Sequence, residues 1–300
     1  MYPDSPGLAI FFTEGERPMQ PISRCDAHDF RPARIFHRRK NRSRLGYFGL
    51  ALLVTATMAS GANPPQVGPA PKSPLPDIST MDYPIRLMAE ARQSYQQVRD
   101  YSCLFVKQER IGGQLGPENL IDMRVRTQPF SVYLHWLGPA QLKGQEACYV
   151  AGANNGQLRV HSTGIAGAIG FVSVSPTDPR VMQNNRHPIT DAGIGHMIDI
   201  YGQRWELERR LGKTTVHVGE FQYNQKRCAR VELIRPDNRG GQFYSYRTLI
   251  YFDKTTHLPI RVESYDWPKP GGPPGGELFE SYSYANLKLN PGVPNEVFNR

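Results

Sequence analysis

From Tyr83 to Val98 the apolar residues Ile85, Met88, Ala91, Tyr95 and Val98 fall at steps of three and four, with Arg86, Glu90, Arg92 and Gln96 on the rest of the wheel. That spacing predicts an amphipathic helix with one buried stripe. The period then changes to two. Leu120 to Arg126 sets Ile121, Met123 and Val125 on one side and Asp122, Arg124 and Arg126 on the other. Phe130, Val132, Leu134 and Trp136 make a second apolar face, and Leu158 with Val160 a shorter third. Such alternation belongs to antiparallel strands with one apolar and one wetter side. Gly112-Gly113 and Asn154-Asn155-Gly156 supply hairpin turns.

Farther along, Gly164 to Gly170 is small and apolar and reads as a flap, and Pro176, Pro179 and Pro188 punctuate the loop behind it. A second helix is expected from Ile194, Met197, Ile198, Tyr201 and Trp205, capped by Thr190 or Asp191 and ended by Gly212. Strands are then expected over 215–223, 228–235, 247–253, 259–266 and 278–289, with the Pro- and Gly-rich stretch 268–276 as a hairpin tip. The fold class is α+β: one domain over residues 83–300, built as a strongly curved antiparallel sheet with two helices on its apolar side.

Composition changes this picture mainly at the N-terminus. The 300 residues carry 36 Lys and Arg against 27 Asp and Glu, a net charge of +9, but the first 62 hold nine of the bases and five of the acids, leaving +5 for the rest. Seven of those bases crowd into 31–44, directly before the apolar run Leu45 to Val54 and the small residues Ala59 to Ala62. A basic, then apolar, then small-residue order predicts a signal peptide over 1–62, cleaved near Gly61 or Ala62. The chain is therefore expected in the periplasm or secreted, with an uncleaved membrane anchor as the alternative. Residues 63–82, rich in Pro, read as an extended linker. A hydrophobic content of 39% is enough for a core and excludes wholesale disorder.

The catalytic inventory is mostly negative. No Gly-x-Ser-x-Gly, His-Glu-x-x-His, phosphate-binding lysine loop or dinucleotide fingerprint occurs, and no cofactor is expected. His161, His187, His196 and His217 lie on separate expected elements without paired ligand spacing, so no metal site is expected. The polar run Asn184 to Pro188 either binds an anionic group or ties its loop to the sheet, the second being favoured. Arg124 and Arg126 alternate away from Trp136, so nucleic acid is not an expected partner; the positive charge better suits an anionic membrane surface. Cys103, Cys148 and Cys228 permit one disulfide or three buried thiols.

Asp100 to Arg110, the strand start Pro129 to Tyr133, and Phe252 to Glu263 with its Leu258-Pro259 pair together resemble an uncharacterised bacterial family of unknown function. That family is similar in architecture to the periplasmic lipoprotein carriers and outer-membrane lipoprotein receptors, the LolA/LolB-like superfamily. The resemblance spans roughly 83–298. It implies an unclosed β-barrel with helices across its mouth that binds lipid or lipoprotein acyl chains without catalysis. The apolar interior expected on this basis is formed by Met88, Met123, Val125, Val132, Leu134, Trp136, Val160, Met197 and Tyr201. The rival expectation is a cell-envelope interaction module with a protein partner and no lipid. A hydrolytic reading requires His187 and Asp191 to line a pocket.

Overall fold

The computed structural model describes residues 67–69, 80–238 and 241–300. The expected signal peptide and most of the expected linker lie outside these residues. In chain order the elements are β1 (Val67–Pro69), α1 (Asp82–Tyr95), β2 (Asp100–Ile111), β3 (Gln114–Leu115), β4 (Asn119–Arg126), β5 (Ser131–Gly138), β6 (Glu146–Val150), β7 (Leu158–His161) and β8 (Val172–Val174). They continue through α2 (Pro179–Met182), α3 (Ile194–Leu211), β9 (Thr215–Tyr223), β10 (Lys226–Ile234), β11 (Arg247–Asp253), β12 (Pro259–Tyr265) and β13 (Leu278–Leu289).

Two antiparallel meanders, β4 to β8 and β9 to β13, are joined through β2, which pairs with β4 on one side and with β13 on the other. The two 12-residue strands β2 and β13 thus form the spine of a 13-stranded sheet whose ends, β1 and β8, do not pair with each other. A short β1 lies against β9 inside the stretch expected to be an extended linker, with Pro69 on the sheet edge. One apolar cluster takes in Phe105 of β2, Val125 of β4, Val132 of β5, Leu158 of β7, Leu233 of β10, Phe252 of β11, and Met88 and Trp205 of the two long helices. Strands so far apart in sheet order can share one core only if the sheet wraps around it. The result is the expected strongly curved, unclosed antiparallel half-barrel with helices in its concavity.

The outer face is also covered in places. Tyr223, Cys228, Leu249, Tyr251 and Ile260 form a second cluster, across which Arg230 stacks on Phe221 and Arg261 on Tyr223. The C-terminal Val297 and Phe298 pack on Tyr133 and Cys148. All three described cysteines are buried free thiols. Burial pushes the Cys148 thiol up to about 11 and that of Cys228 to about 12, which keeps both protonated and unreactive.

The start of α3 differs from expectation. Thr190 and Asp191 belong to a separate 3-10 turn, and the residue before the helix is Gly193 at φ 104°. Instead of a Ser, Thr or Asp cap, a tyrosine hydroxyl meets the first turn: Ile194 N–H donates to Tyr101 at 3.0 Å. A Cβ at Gly193 would sit 2.7 Å from the Tyr101 hydroxyl, so the close approach and the positive φ both require glycine. At the other end Gly212 closes α3 as expected, and a buried bidentate pair pins it: Arg235 Nε and Nη2 each donate to Glu208 at 2.9 Å.

Candidate functional site

The half-barrel is not filled throughout. Between the β4 to β7 side of the sheet and the N-terminal half of α3 lies a cavity of about 490 Å³, a size usual for a small-molecule site. Alternation builds its apolar wall: the inward positions Phe105 of β2, Ile121 of β4, Leu134 and Trp136 of β5, and Leu158 and Val160 of β7. The roof is the α3 face carrying Met197, Ile200, Tyr201 and Arg204, and the far wall is Val262, Tyr282 and Tyr284. Exposed Arg180, Gln183 and Asn184, from α2 and the loop after it, rim the opening.

One end of the cavity is polar, and the sheet register makes it so. Going along β2 the inward residues change from Phe105 to Lys107 to Glu109; on β13 the directly opposite positions are Tyr284, Tyr282 and Glu280. Two buried carboxylates therefore face each other across neighbouring strands, an arrangement that needs compensation. Compensation comes from the polar run before α3. Arg186 Nε donates to Glu280 at 3.2 Å, its backbone N–H to Glu109 at 3.2 Å, and His187 Nε2 lies 3.0 Å from Glu280. Lys107 donates to Glu109 at 3.0 Å and to Asn185 Oδ1. Tyr244 donates to Glu280 at 2.8 Å, and Tyr282 to Glu109 at 2.5 Å. The run Asn184 to Pro188 thus ties its loop to the sheet, the reading favoured from sequence.

Burial alone would raise the Glu280 pKa, but the hydrogen bond and charge of His187, the Tyr244 hydroxyl and Arg186 outweigh it and hold the carboxyl below its usual range. Tyr282 is pushed far up, by burial first and then by Glu280 and Glu109, so it stays a neutral donor. His196, 3.8 Å from Asp191, has its pKa lowered by burial, against the pull of Asp191 and with a further push from His187.

Of the nine interior residues expected from sequence, Leu134, Trp136, Val160, Met197 and Tyr201 line the cavity. Met88, Met123, Val125 and Val132 do not. They point inward as expected, yet they are buried in the core cluster away from this cavity. The expected flap is a 3-10 helix, Gly164–Ile169, held by the contact of His161 Nε2 with the Gly167 carbonyl at 3.1 Å; its described side chains are not on the cavity wall. His187 and His196 both reach the wall, whereas His217 is exposed on β9. Among the described residues no group of three or more His, Cys, Asp or Glu is arranged to hold a metal ion. His187 and Asp191 line the cavity, which meets the geometric condition for a hydrolytic reading.

Sequence reasoning missed Lys107, Glu109 and Glu280. The available signal was charge at inward strand positions, Lys107 and Glu109 two residues apart on a strand otherwise rich in apolar side chains. Also missed was Arg204, one turn beyond Tyr201 on the face of α3 that roofs the cavity.

Residues 98–300 match a family described as a protein of unknown function, DUF1571. No curated protein matches the chain. Among solved structures it is similar to the Mycobacterium tuberculosis lipoprotein LppX, at 9% identity and a TM-score of 0.41 over 70% of this chain and 96% of that one. It is similar to a LolA superfamily protein from Nitrosomonas europaea, at 11% identity and a TM-score of 0.28 over 74% and 98%. A third likeness is to the MucA/MucB complex of Pseudomonas aeruginosa, at 13% identity and a TM-score of 0.40 over 71% of this chain and 59% of that one. No helix among the described residues is long and apolar enough to cross a membrane.

Proposed function

We propose that this chain, which belongs to the DUF1571 family, is a non-enzymatic binding protein of the cell envelope that holds an acyl chain of a lipid or acylated protein in its half-barrel. The observation that carries the reading is the 490 Å³ cavity, apolar along β4 to β7 and polar at one end. An amphiphile matches that division. Each buried CH2 contributes about 0.8 kcal/mol, so a chain of about sixteen carbons gains on the order of 10 kcal/mol before the costs of association. The polar end needs no reaction to explain it: His187 uses Nε2 on Glu280, and Glu280 accepts at both oxygens, from Ser264 at one and from Arg186 and Tyr244 at the other. In this reading residues 1–62 export the chain and residues 63–82 tether the domain at 83–300.

Native mass spectrometry of protein purified gently from the envelope tests the proposal. A bound lipid or acyl mass is expected. Repeated purification of bare protein that also takes up no fluorescent fatty acid would overturn it. One observation favours a second reading, an interaction module: among the described residues β8 leaves a sheet edge unpaired, and its own Val172 is exposed. Crosslinking in cells to a defined protein, with the cavity empty, is the outcome that separates this reading from lipid binding.

A further inference from the structure

The cations on the cavity wall have acidic partners, with one exception. Lys107 is paired with Glu109, and Arg180 at the rim with Asp178, while Glu280 is met by Arg186 and by His187; Asp191 has only His196, 3.8 Å away and with its pKa lowered, beside it. Arg204 has no such partner. Its guanidinium carbon sits 4.0 Å from the centre of the Tyr244 ring and 5.5 Å from that of Tyr201, and among the described residues it makes neither a hydrogen bond nor an ion pair. Stacking on a ring face fixes the plane of a guanidinium while leaving its N–H groups free at the edge, which is the geometry that takes an oxyanion in two parallel hydrogen bonds.

The platform under Arg204 is itself fixed. Tyr244 donates to Glu280 at 2.8 Å, so the same buried carboxylate that holds the 186–187 loop also sets the ring on which Arg204 lies. Arg204 follows Ile200 and Tyr201 by one turn on the cavity face of α3, which puts an unpartnered, half-buried cation next to an apolar chamber.

We infer that Arg204 is the headgroup site of the cavity, and that the ligand is a single-chain amphiphile ending in an anionic carboxylate or phosphate. This inference rests on the acyl-binding proposal and sharpens it: the hydrocarbon occupies the space walled by Leu134, Trp136 and Val160, and the anion pairs with Arg204. Tyr244 is a positioning residue.

Titration of the purified full chain with hexadecanoate, hexadecyl phosphate and hexadecanol at neutral pH, followed by displacement of a fluorescent fatty acid, tests it. At least one of the two anions is expected to bind ten or more times as tightly as the alcohol, and the tighter of them names the headgroup. Arg204→Gln is expected to remove that preference while leaving hexadecanol affinity within about twofold, since a charge-assisted pair is being lost and not apolar contact. Arg204→Lys should retain part of the preference, a rescue that a purely structural role for Arg204 would not produce. Tyr244→Phe keeps the ring but loses its tether to Glu280, and should lower anion affinity without changing alcohol affinity. Equal binding of all three amphiphiles, or an unchanged preference in Arg204→Gln, overturns the inference and leaves the acyl-binding proposal standing. Failure of all three to bind the wild type overturns both.

Discussion

The two halves of the concavity are built alike and filled differently. On the β9 to β12 side, the C-terminal half of α3 inserts Trp205, fully buried with its ring centre 6.3 Å from that of Phe252, among Val216, Val231, Leu233 and Ile250. On the β4 to β7 side the N-terminal half of the same helix offers Met197 and Ile200 to a wall of Leu134, Trp136 and Val160, and about 490 Å³ stays open. One helix therefore plugs one half and roofs the other. What separates them is side-chain bulk on α3 and the Glu208–Arg235 pair, which holds the plugging end against β10 and β11 through a further Arg235 bond to Thr248 at 2.9 Å. The chamber is thus a region the core leaves unfilled, under a helix whose other end is anchored by an ion pair.

The largest test of that contrast is Glu208→Ala. It leaves Arg235 buried and without a carboxylate, and is expected to cost about 3–5 kcal/mol in denaturant unfolding; a loss below about 1 kcal/mol would mean that the pair does not hold the helix. Next comes a matched pair of truncations. Leu233→Ala in the filled half should cost about 3–5 kcal/mol, and Leu134→Ala at the chamber wall about 1–2 kcal/mol, because the wall residue already borders space. Equal costs would make the two halves equivalent. The smallest effect concerns the polar end. The folded Glu280 pKa is depressed, so on acidification the unfolded chain takes up its proton first; the stability Glu280 contributes is complete above the ordinary carboxylate value of about 4.3 and is lost as pH falls through the lower folded value. The gap in melting temperature between wild type and Glu280→Gln should therefore narrow from about pH 6 to about pH 3, within the acid range that carboxylates govern. A gap independent of pH would contradict the charge pairing assigned to Glu280.

Part of the fold was legible because some strands bury one face only. The alternation over Leu120 to Arg126 became β4 with Ile121, Met123 and Val125 buried, and the five later strands were bounded to within two residues. β2 gave no such signal. Tyr101, Cys103 and Phe105 face the inner core while Leu104 and Val106 pack on Ala285 outside it, so the run is apolar on both sides and carries no period of two. The cap of α3 was misplaced because a tyrosine distant in sequence, Tyr101, replaces the usual local cap. For the site, five of the nine interior residues reached the chamber; periodicity tells inward from outward but not filled from hollow, which depends on what the opposite element brings. The facing carboxylates Glu109 and Glu280 were hidden for a related reason: they are 171 positions apart, and only the β2–β13 register brings them together.

On the proposed function, the open half accepts an apolar chain. Val160→Trp places a large ring in the chamber without touching the filled half, and the decisive measurement is fluorescent fatty-acid binding to wild type and to this variant, alongside their melting curves. One chain is expected to bind per wild-type molecule, with binding at least tenfold weaker in Val160→Trp and cooperative unfolding retained in both. No binding to the wild type, or equal binding by a folded Val160→Trp, would contradict it.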